Sequence, residues 1–235
     1  RLSQDNIVKE GGYILCAAWK WLGESEVGYV YLNQQDAQDG NDILICDKLW
    51  ELYEEADAIV AHNGKSFDQK MLQTRVVGNG LAPLPKVKVL DTKLLAKKYL
   101  RLPSNSLDSI GEYFGLGRKI DTGGISLWKR VIAGEEQAMK EMVDYNIGDI
   151  ELLEKVYLRL RHLGTAGENL NAGLFFDDDE VHCSICGSTD VAETGRNVQT
   201  ASGIFKEIRC NSCGAVHRNK TNTITKSQRQ AQLVV

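Results

Sequence analysis

The spacing of apolar side chains changes period several times along the 235-residue chain, and each change marks an element. Residues 13–22 form an aromatic-rich apolar run, and after the polar Gly23-Glu24-Ser25-Glu26 a second run covers residues 27–32. The pair predicts an antiparallel hairpin whose first strand is buried on both faces. Over residues 47–56 the period becomes helical, with Leu49, Leu52, Tyr53 and Ala56 on one face. Ala58-Ile59-Val60-Ala61 reads as a short buried strand. Ser66 is a suitable N-cap for a helix running to about Val77, stopped by Gly78-Asn79-Gly80. Residues 87–90 read as another strand, Asp91 opens a helix over 93–100, and Pro103 breaks it. Residues 106–114 predict a short helix ended by Gly115. From 135 to 163 the spacing of Met139, Met142, Ile150, Leu153, Val156 and Leu160 predicts one long helix, or two joined end to end.

A hairpin followed by alternating helices and strands is a mixed α/β layer. Past residue 163 the composition changes. Residues 164–180, glycine-rich at first and then acidic through Asp177-Asp178-Asp179-Glu180, read as a linker. A small module spans 181–220, and 221–235 reads as a flexible tail. Residues 1–163 therefore form the main domain.

Charge sharpens this division. The chain carries 28 basic and 32 acidic side chains, a formal charge of −4. Residues 1–60 hold 4 basic and 12 acidic groups, whereas residues 61–162 hold 17 basic and 12 acidic. The positive excess is densest in Lys86, Lys88, Lys93, Lys97, Lys98 and Arg101. Such a stretch is either a solvated helix face or a contact for a polyanion, because lysine and arginine neutralise phosphates and release counterions. No run approaches the ~20 apolar residues of a membrane helix, so no membrane partner is expected and a cytoplasmic location is (host cytoplasm if viral). The first residues show neither a signal-peptide core nor a starting methionine. That leads to the expectation of a chain beginning inside a longer product.

Six cysteines are unevenly placed. Cys16 and Cys46 lie in apolar settings and read as buried, inert thiols. Cys183-Ser184-Ile185-Cys186 and Cys210-Asn211-Ser212-Cys213 form two CxxC knuckles separated by a hairpin-length insert, the pattern of a structural four-thiolate Zn²⁺ site. Gly187 and Gly214 suit the tight turns that aim backbone amides at thiolates. His182 and His217 flank the knuckles as alternative ligands.

Three segments elsewhere carry polar side chains at element ends. Val60-Ala61-His62-Asn63-Gly64-Lys65-Ser66-Phe67-Asp68 is a strand, a polar turn and a carboxylate on the first turn of a helix. That carboxylate sits at a sheet edge, where ligands meet α/β proteins, or serves only the helix dipole. Tyr145 and Asp149, at i and i+4, share one helix face. Asp91-Thr92, with the helix of residues 106–114, borders the same edge.

In order and in letters these segments resemble the DEDD 3′–5′ exonucleases of the ribonuclease-H-like fold, in their tyrosine-bearing branch. Asn63 with Phe67-Asp68 matches the second motif of that family, and Tyr145 with Asp149 matches the third. Residues 13–24 and 104–117 look closest to small phage-type exonucleases. The resemblance covers about residues 2–163 and implies a mixed sheet with flanking helices, the C-terminal zinc ribbon lying outside it. It implies two-metal-ion hydrolysis of the terminal phosphodiester with Mg²⁺ or Mn²⁺. Asp149 would bind the first ion, Asp68 the second, and Tyr145 would orient the attacking water. His62, Asn63, Phe67 and Leu107 would contact the terminal nucleotide, on single-stranded DNA or, less favoured, RNA.

The family's first motif, Asp-x-Glu on a central strand, has no counterpart. Asp149-Ile150-Glu151 lies on a helix, where i and i+2 diverge by roughly 200°, and Glu24-Ser25-Glu26 lies in a turn. Two of four expected carboxylates are missing, so the chain is expected to be an inactive or weak fragment of the exonuclease. In the exonuclease the ribbon would serve as an accessory clamp on a phosphate backbone through Arg196, Lys206, Arg209, Arg218 and Lys220, or dock on a partner protein. Two other readings remain. One is a non-catalytic nucleic-acid-binding module of a replication or repair assembly, with a degenerate nuclease core and the ribbon as recognition element. The other is a zinc-ribbon transcription factor, which leaves the acidic motifs unexplained.

Overall fold

The apolar runs at residues 13–22 and 27–32 condense into β1 (Cys16–Trp19) and β2 (Gly28–Tyr31), antiparallel with Cys16 opposite Tyr31 and Trp19 opposite Gly28. The structure, a computed structural model, describes residues 12–119, 124–165 and 168–231. The last four residues of the expected tail lie outside the described residues. The chain divides into two compact units, Arg1–Arg159 and Leu160–Val235.

In the first unit β1 is half-buried at every position rather than buried on both faces. The reason is its pairing: among the described residues β1 has β2 as its one ladder partner, and the two form a sheet of their own. Two helices follow, α1 (Gln34–Asp39) and α2 (Ile43–Glu55). The six-residue α1 is too short to show a period and was not legible as a helix. Its end signals are nonetheless good: Asn33 accepts from the Asp36 amide at the start, and Gly40 closes it in the left-handed region at φ 68°. β3 (Ala58–Ala61) pairs in parallel with β4 (Lys88–Asp91), Ala61 opposite Asp91, and α3 (Asp68–Gly78) is the crossover between them. The expected cap at Ser66 does not form. The amides of Ser66 and Phe67 instead bond the Asn63 carbonyl, closing a turn that delays the helix to Asp68.

α4 (Thr92–Tyr99) starts directly from β4, with Asp91 as its cap. α5 (Leu107–Tyr113) is capped by Ser106. α6 (Ile125–Ile132) went unread in the sequence, and α7 (Glu136–Leu160) is one continuous helix of 25 residues. Its inner face carries Met142, Leu152, Val156 and Leu160, so Leu152 takes the place foreseen for Leu153. One core joins Leu15, Leu32, Ala37, Ile45, Leu127, Val131, Ala138 and Met142, packing the hairpin against α1, α2, α6 and α7. Another joins Cys46, Leu72, Val76 and Leu84 between α2 and α3. Burial drives the thiols up, Cys16 to about 12 and Cys46 to about 11, as expected of inert cysteines.

In the second unit the expected linker contains a 3₁₀ turn, Ala172–Phe175, whose Ala172 amide bonds the Ser184 carbonyl. An antiparallel sheet follows, β5 (Val191–Thr200), β6 (Gly203–Cys210) and β7 (Val216–Asn222). The stretch expected as a loose tail begins inside β7 and carries α8 (Lys226–Gln230), started by a capping box of Thr225 and Gln228. Among the described residues no helix is long and apolar enough to cross a membrane.

Candidate active site

The turn between β3 and α3 is built around one buried carboxylate. Asn63 adopts φ 70°, a left-handed conformation that asparagine tolerates better than most residues. Its amide then bonds Asp91 Oδ1 at 3.0 Å, and the Lys65 amide bonds Asp91 Oδ2 at 3.3 Å. Asp91 Oδ1 also accepts from the amides of Lys93 and Leu94. One side chain therefore clips the 62–67 turn to the start of α4. His62 reinforces the clip, its Nδ1 2.9 Å from Thr92 Oγ1 and its Nε2 donating to the Asn105 carbonyl at 3.0 Å. Burial lowers the His62 pKa, with smaller contributions of both signs from Asn105, Asp91, Lys93 and Lys119.

This turn delivers Asp68 and Phe67. Asp68 opens α3, and its carboxyl sits above the usual range, chiefly through burial. The Asp91 charge adds to the rise, while the Asp68 backbone amide and the Lys119 charge offset part of it. Phe67, 58% exposed, stands beside it at the surface. Leu107, by contrast, is 6% exposed at the start of α5 and serves the packing there.

Tyr145 and Asp149 lie one turn apart on α7, as the i,i+4 spacing requires. They are joined by Lys119, whose ammonium donates to the Tyr145 hydroxyl at 2.9 Å and forms an ion pair with Asp149 Oδ2. Burial works against the Lys119 charge, yet these two hydrogen bonds hold its pKa above the ordinary lysine value. The other oxygen, Asp149 Oδ1, is buried with no hydrogen-bond partner among the described residues. The Lys119 charge acts on Asp68, His62 and Asp149 alike. The Lys119 ammonium thus binds the Tyr145–Asp149 pair directly, and its charge also reaches Asp68. Sequence reasoning missed Lys119, which follows the Gly115–Gly117 turn and obeys no period; it singled out Asp91 without finding the hub.

Other contacts hold α7 in place. Asn146 Nδ2 donates to Cys16 Sγ and to the Met142 carbonyl, and Glu154 pairs with Lys20 while accepting from the Gly23 amide. The hairpin turn is thereby tied to the helix that bears Tyr145 and Asp149.

In the second unit the two knuckles are near copies. The Gly187 amide bonds the Cys183 carbonyl and the Gly214 amide bonds the Cys210 carbonyl, each at 2.9 Å, and the glycines adopt φ 77° and 76°. The four sulfurs lie within 4.8 Å of one another, a cluster able to hold a metal ion. Burial opposes ionisation of Cys210, but the amides of Cys213 and Ser212 and the Cys186 thiol outweigh it and bring its pKa down to about 7. Neither flanking histidine belongs to the cluster. His182 bonds Asp178 and the Gly187 carbonyl and stacks on Phe176, with centroids 4.0 Å apart. His217 Nε2 lies 3.2 Å from Cys183 Sγ, outside the thiol set, and its Nδ1 meets Ser184 Oγ.

No curated protein is similar enough to this chain to count as a relative. The family model of the RNase_H superfamily matches residues 8–161, which carry β1 to α7, the acidic motifs and Lys119. With a mixed α/β architecture of small sheets and flanking helices over that same stretch, this chain belongs to the RNase H superfamily, whose members are typically nucleases that use divalent metals.

Proposed function

We propose that the protein acts as a 3′–5′ exonuclease of the tyrosine-bearing DEDD branch, trimming nucleic-acid ends, DNA in preference to RNA. The observation that carries this reading is the Lys119 ammonium bonded to both Tyr145 and Asp149, with its charge also felt at Asp68. A cation site fits the donors present. Asp149 holds back one buried, unpartnered oxygen, and the Asp68 carboxyl bears the cost of burial near a second negative group, Asp91. Both are hard oxygen ligands, suited to Mg²⁺ or Mn²⁺. When bound, two such ions neutralise the non-bridging phosphate oxygens and lower the pKa of the attacking water.

The protein's own groups then have distinct tasks. Asp149 and Asp68 hold the ions from two different elements, so the geometry depends on how α3 and α7 are braced. The Tyr145 hydroxyl orients the water that bonds to phosphorus as the 3′-oxygen leaves, releasing a nucleoside 5′-monophosphate. Phe67, exposed beside Asp68, offers a face for the terminal base. Asn63 and His62 keep the 62–67 turn in shape. The full ligand set takes two further carboxylates from an Asp-x-Glu strand, so residues 1–235 alone are expected to turn over weakly.

The cysteine cluster is read as a structural Zn²⁺ site. Within its ribbon Lys206 is bound to Glu193 and Arg218 lies over the Phe205 ring. The side chains proposed to face a phosphate backbone therefore narrow to Arg196, Arg209 and Lys220.

The test is hydrolysis of single-stranded DNA labelled at either end, by residues 1–235 and by a protein extended with an Asp-x-Glu strand. The extended protein should shorten the 3′ end in a Mg²⁺-dependent way, and Asp149→Ala should abolish turnover while DNA binding survives. Turnover that survives Asp149→Ala would overturn the assignment, and robust digestion by residues 1–235 alone would overturn the need for an added Asp-x-Glu strand. A second reading, a nucleic-acid-binding module without catalysis, draws on Lys119 already satisfying one oxygen of Asp149. It is distinguished by DNA binding without hydrolysis in the extended protein.

A further inference from the structure

We propose that Lys119 is the resident counter-cation of the Asp149–Tyr145 pair, that a divalent ion takes its place on Asp149, and that the lysine thereby sets how tightly the site holds metal. The proposal rests on the site reading above and adds to it a residue that neither acidic motif contains.

Lys119 is held in position by its surroundings. Its backbone amide donates to Asp108 Oδ1 at 2.8 Å, in the first turn of α5. The loop returns to that helix through Gly117 at φ 127°, whose carbonyl passes so close to Gly111 that a Cβ there would lie 2.7 Å from it. The ammonium then reaches Tyr145 and Asp149 together and lies 5.0 Å from the Tyr145 ring centroid. Both charged side chains are mostly withdrawn from water, at 28% and 21% exposure, which weakens solvent screening between them.

The asymmetry at Asp149 shows what the lysine leaves undone. One oxygen is paired with the ammonium, while the other is buried and has no hydrogen-bond partner among the described residues. An unsatisfied buried carboxylate oxygen is costly, and a divalent ion would satisfy it. The lysine charge is also felt at Asp68, the other proposed ligand. An ion approaching both carboxylates must displace the ammonium or be repelled by it. Because both side chains are mostly withdrawn from water, that repulsion is only partly screened.

The experiment titrates the zinc-loaded full chain with Mn²⁺, following free Mn²⁺ by electron paramagnetic resonance, and records thermal melting with and without Mn²⁺. Lys119→Met should bind Mn²⁺ about tenfold more tightly, melt lower than wild type without Mn²⁺, and gain more from its addition. Lys119→Arg, which keeps the charge, should stay near wild-type affinity. Lys119→Gln provides the same comparison should the methionine variant fail to fold. Unchanged or weaker Mn²⁺ binding in the neutral variants would overturn the role of the lysine. If Asp149→Ala removes Mn²⁺ binding in that case, the metal assignment stands and the lysine inference alone falls. If Mn²⁺ binds equally well without the Asp149 carboxylate, both fall.

Discussion

Asp42 precedes α2 in the position of an N-cap, yet it makes no capping bond. Its carboxylate turns to the neighbouring elements instead. Oδ2 accepts from the Ile14 amide at 2.9 Å and from Arg75 Nε at 2.8 Å, and Oδ1 accepts from Arg75 and Asn79, each at 2.8 Å. The residue is 0% exposed, while the Arg75 side chain is 20% exposed. Asp42→Ala would strand the Arg75 guanidinium in a mostly buried place, along with the Ile14 amide and the Asn79 side chain. Breaking one side of a buried pair in this way costs about 3–5 kcal/mol, and in a domain near 150 residues each kcal/mol lowers Tm by about 2–4 °C. A fall of about 6–20 °C is expected. Because Arg75 and Asn79 belong to α3 and its end, the same change loosens the helix that carries Asp68. All four tryptophans, Trp19, Trp21, Trp50 and Trp128, lie in the first unit, so urea unfolding followed by tryptophan fluorescence reports on that unit alone. Replacing both partners, Asp42→Leu with Arg75→Met, should recover part of the loss, since an unpaired charge no longer remains. Burial alone would raise the Asp42 carboxyl, but the hydrogen bonds from Arg75, Asn79 and Ile14 hold it below its ordinary value of 3.8. The stabilisation is then complete above about pH 4 and disappears as pH falls through the lower folded value. A loss under 1 kcal/mol for Asp42→Ala, or a double variant as unstable as the sum of the singles, would refute the reasoning.

Gly111→Ala places a methyl group 2.7 Å from the Gly117 carbonyl oxygen and 2.8 Å from Leu152 Cδ1. It should cost about 1–3 kcal/mol in the same fluorescence assay, and an effect below 0.5 kcal/mol would mean that the loop bearing Lys119 yields freely. In the second unit the buried cluster is Cys183, Ile185, Cys210 and Ala215, with Cys186, Val191 and Cys213 against it, so the thiols are most of the core. Stripping the metal with a strong chelator should therefore remove the β5–β7 share of the sheet signal in circular dichroism and leave tryptophan fluorescence unchanged, as expected when metal binding supplies the folding free energy. A ribbon that keeps its sheet without metal would contradict this. His217→Asn, which removes the imidazole beside Cys183, should weaken metal retention about 10–100-fold in chelator competition.

What the sequence disclosed and what it concealed follow from the range of each interaction. The long α7, the β3–α3 crossover and the knuckle glycines depend on neighbours within a few residues, so period and turn chemistry revealed them. The same local rule misplaced the start of α3, because the bonds that close the turn run to the Asn63 carbonyl and to Asp91, 28 residues away from Asn63. It also left Asp42 unremarked, because the helical period was legible only from residue 47 while the helix itself begins at Ile43. Asp91 does cap its helix and at the same time serves a distant turn, whereas Asp42 caps nothing and holds together three segments. A carboxylate has more acceptor capacity than one helix start can use, and burial forces the surplus to find donors wherever the chain brings them. Lys119 follows the same logic with the sign reversed. A buried anion at Asp149 recruits the nearest ammonium the loop can deliver, 30 residues back along the chain, and no spacing in the sequence encodes that distance. The motif residues are legible because each is placed by its own element. The counter-charge bound to Tyr145 and Asp149 is legible only once α5, its glycine turn and α7 have been assembled in space.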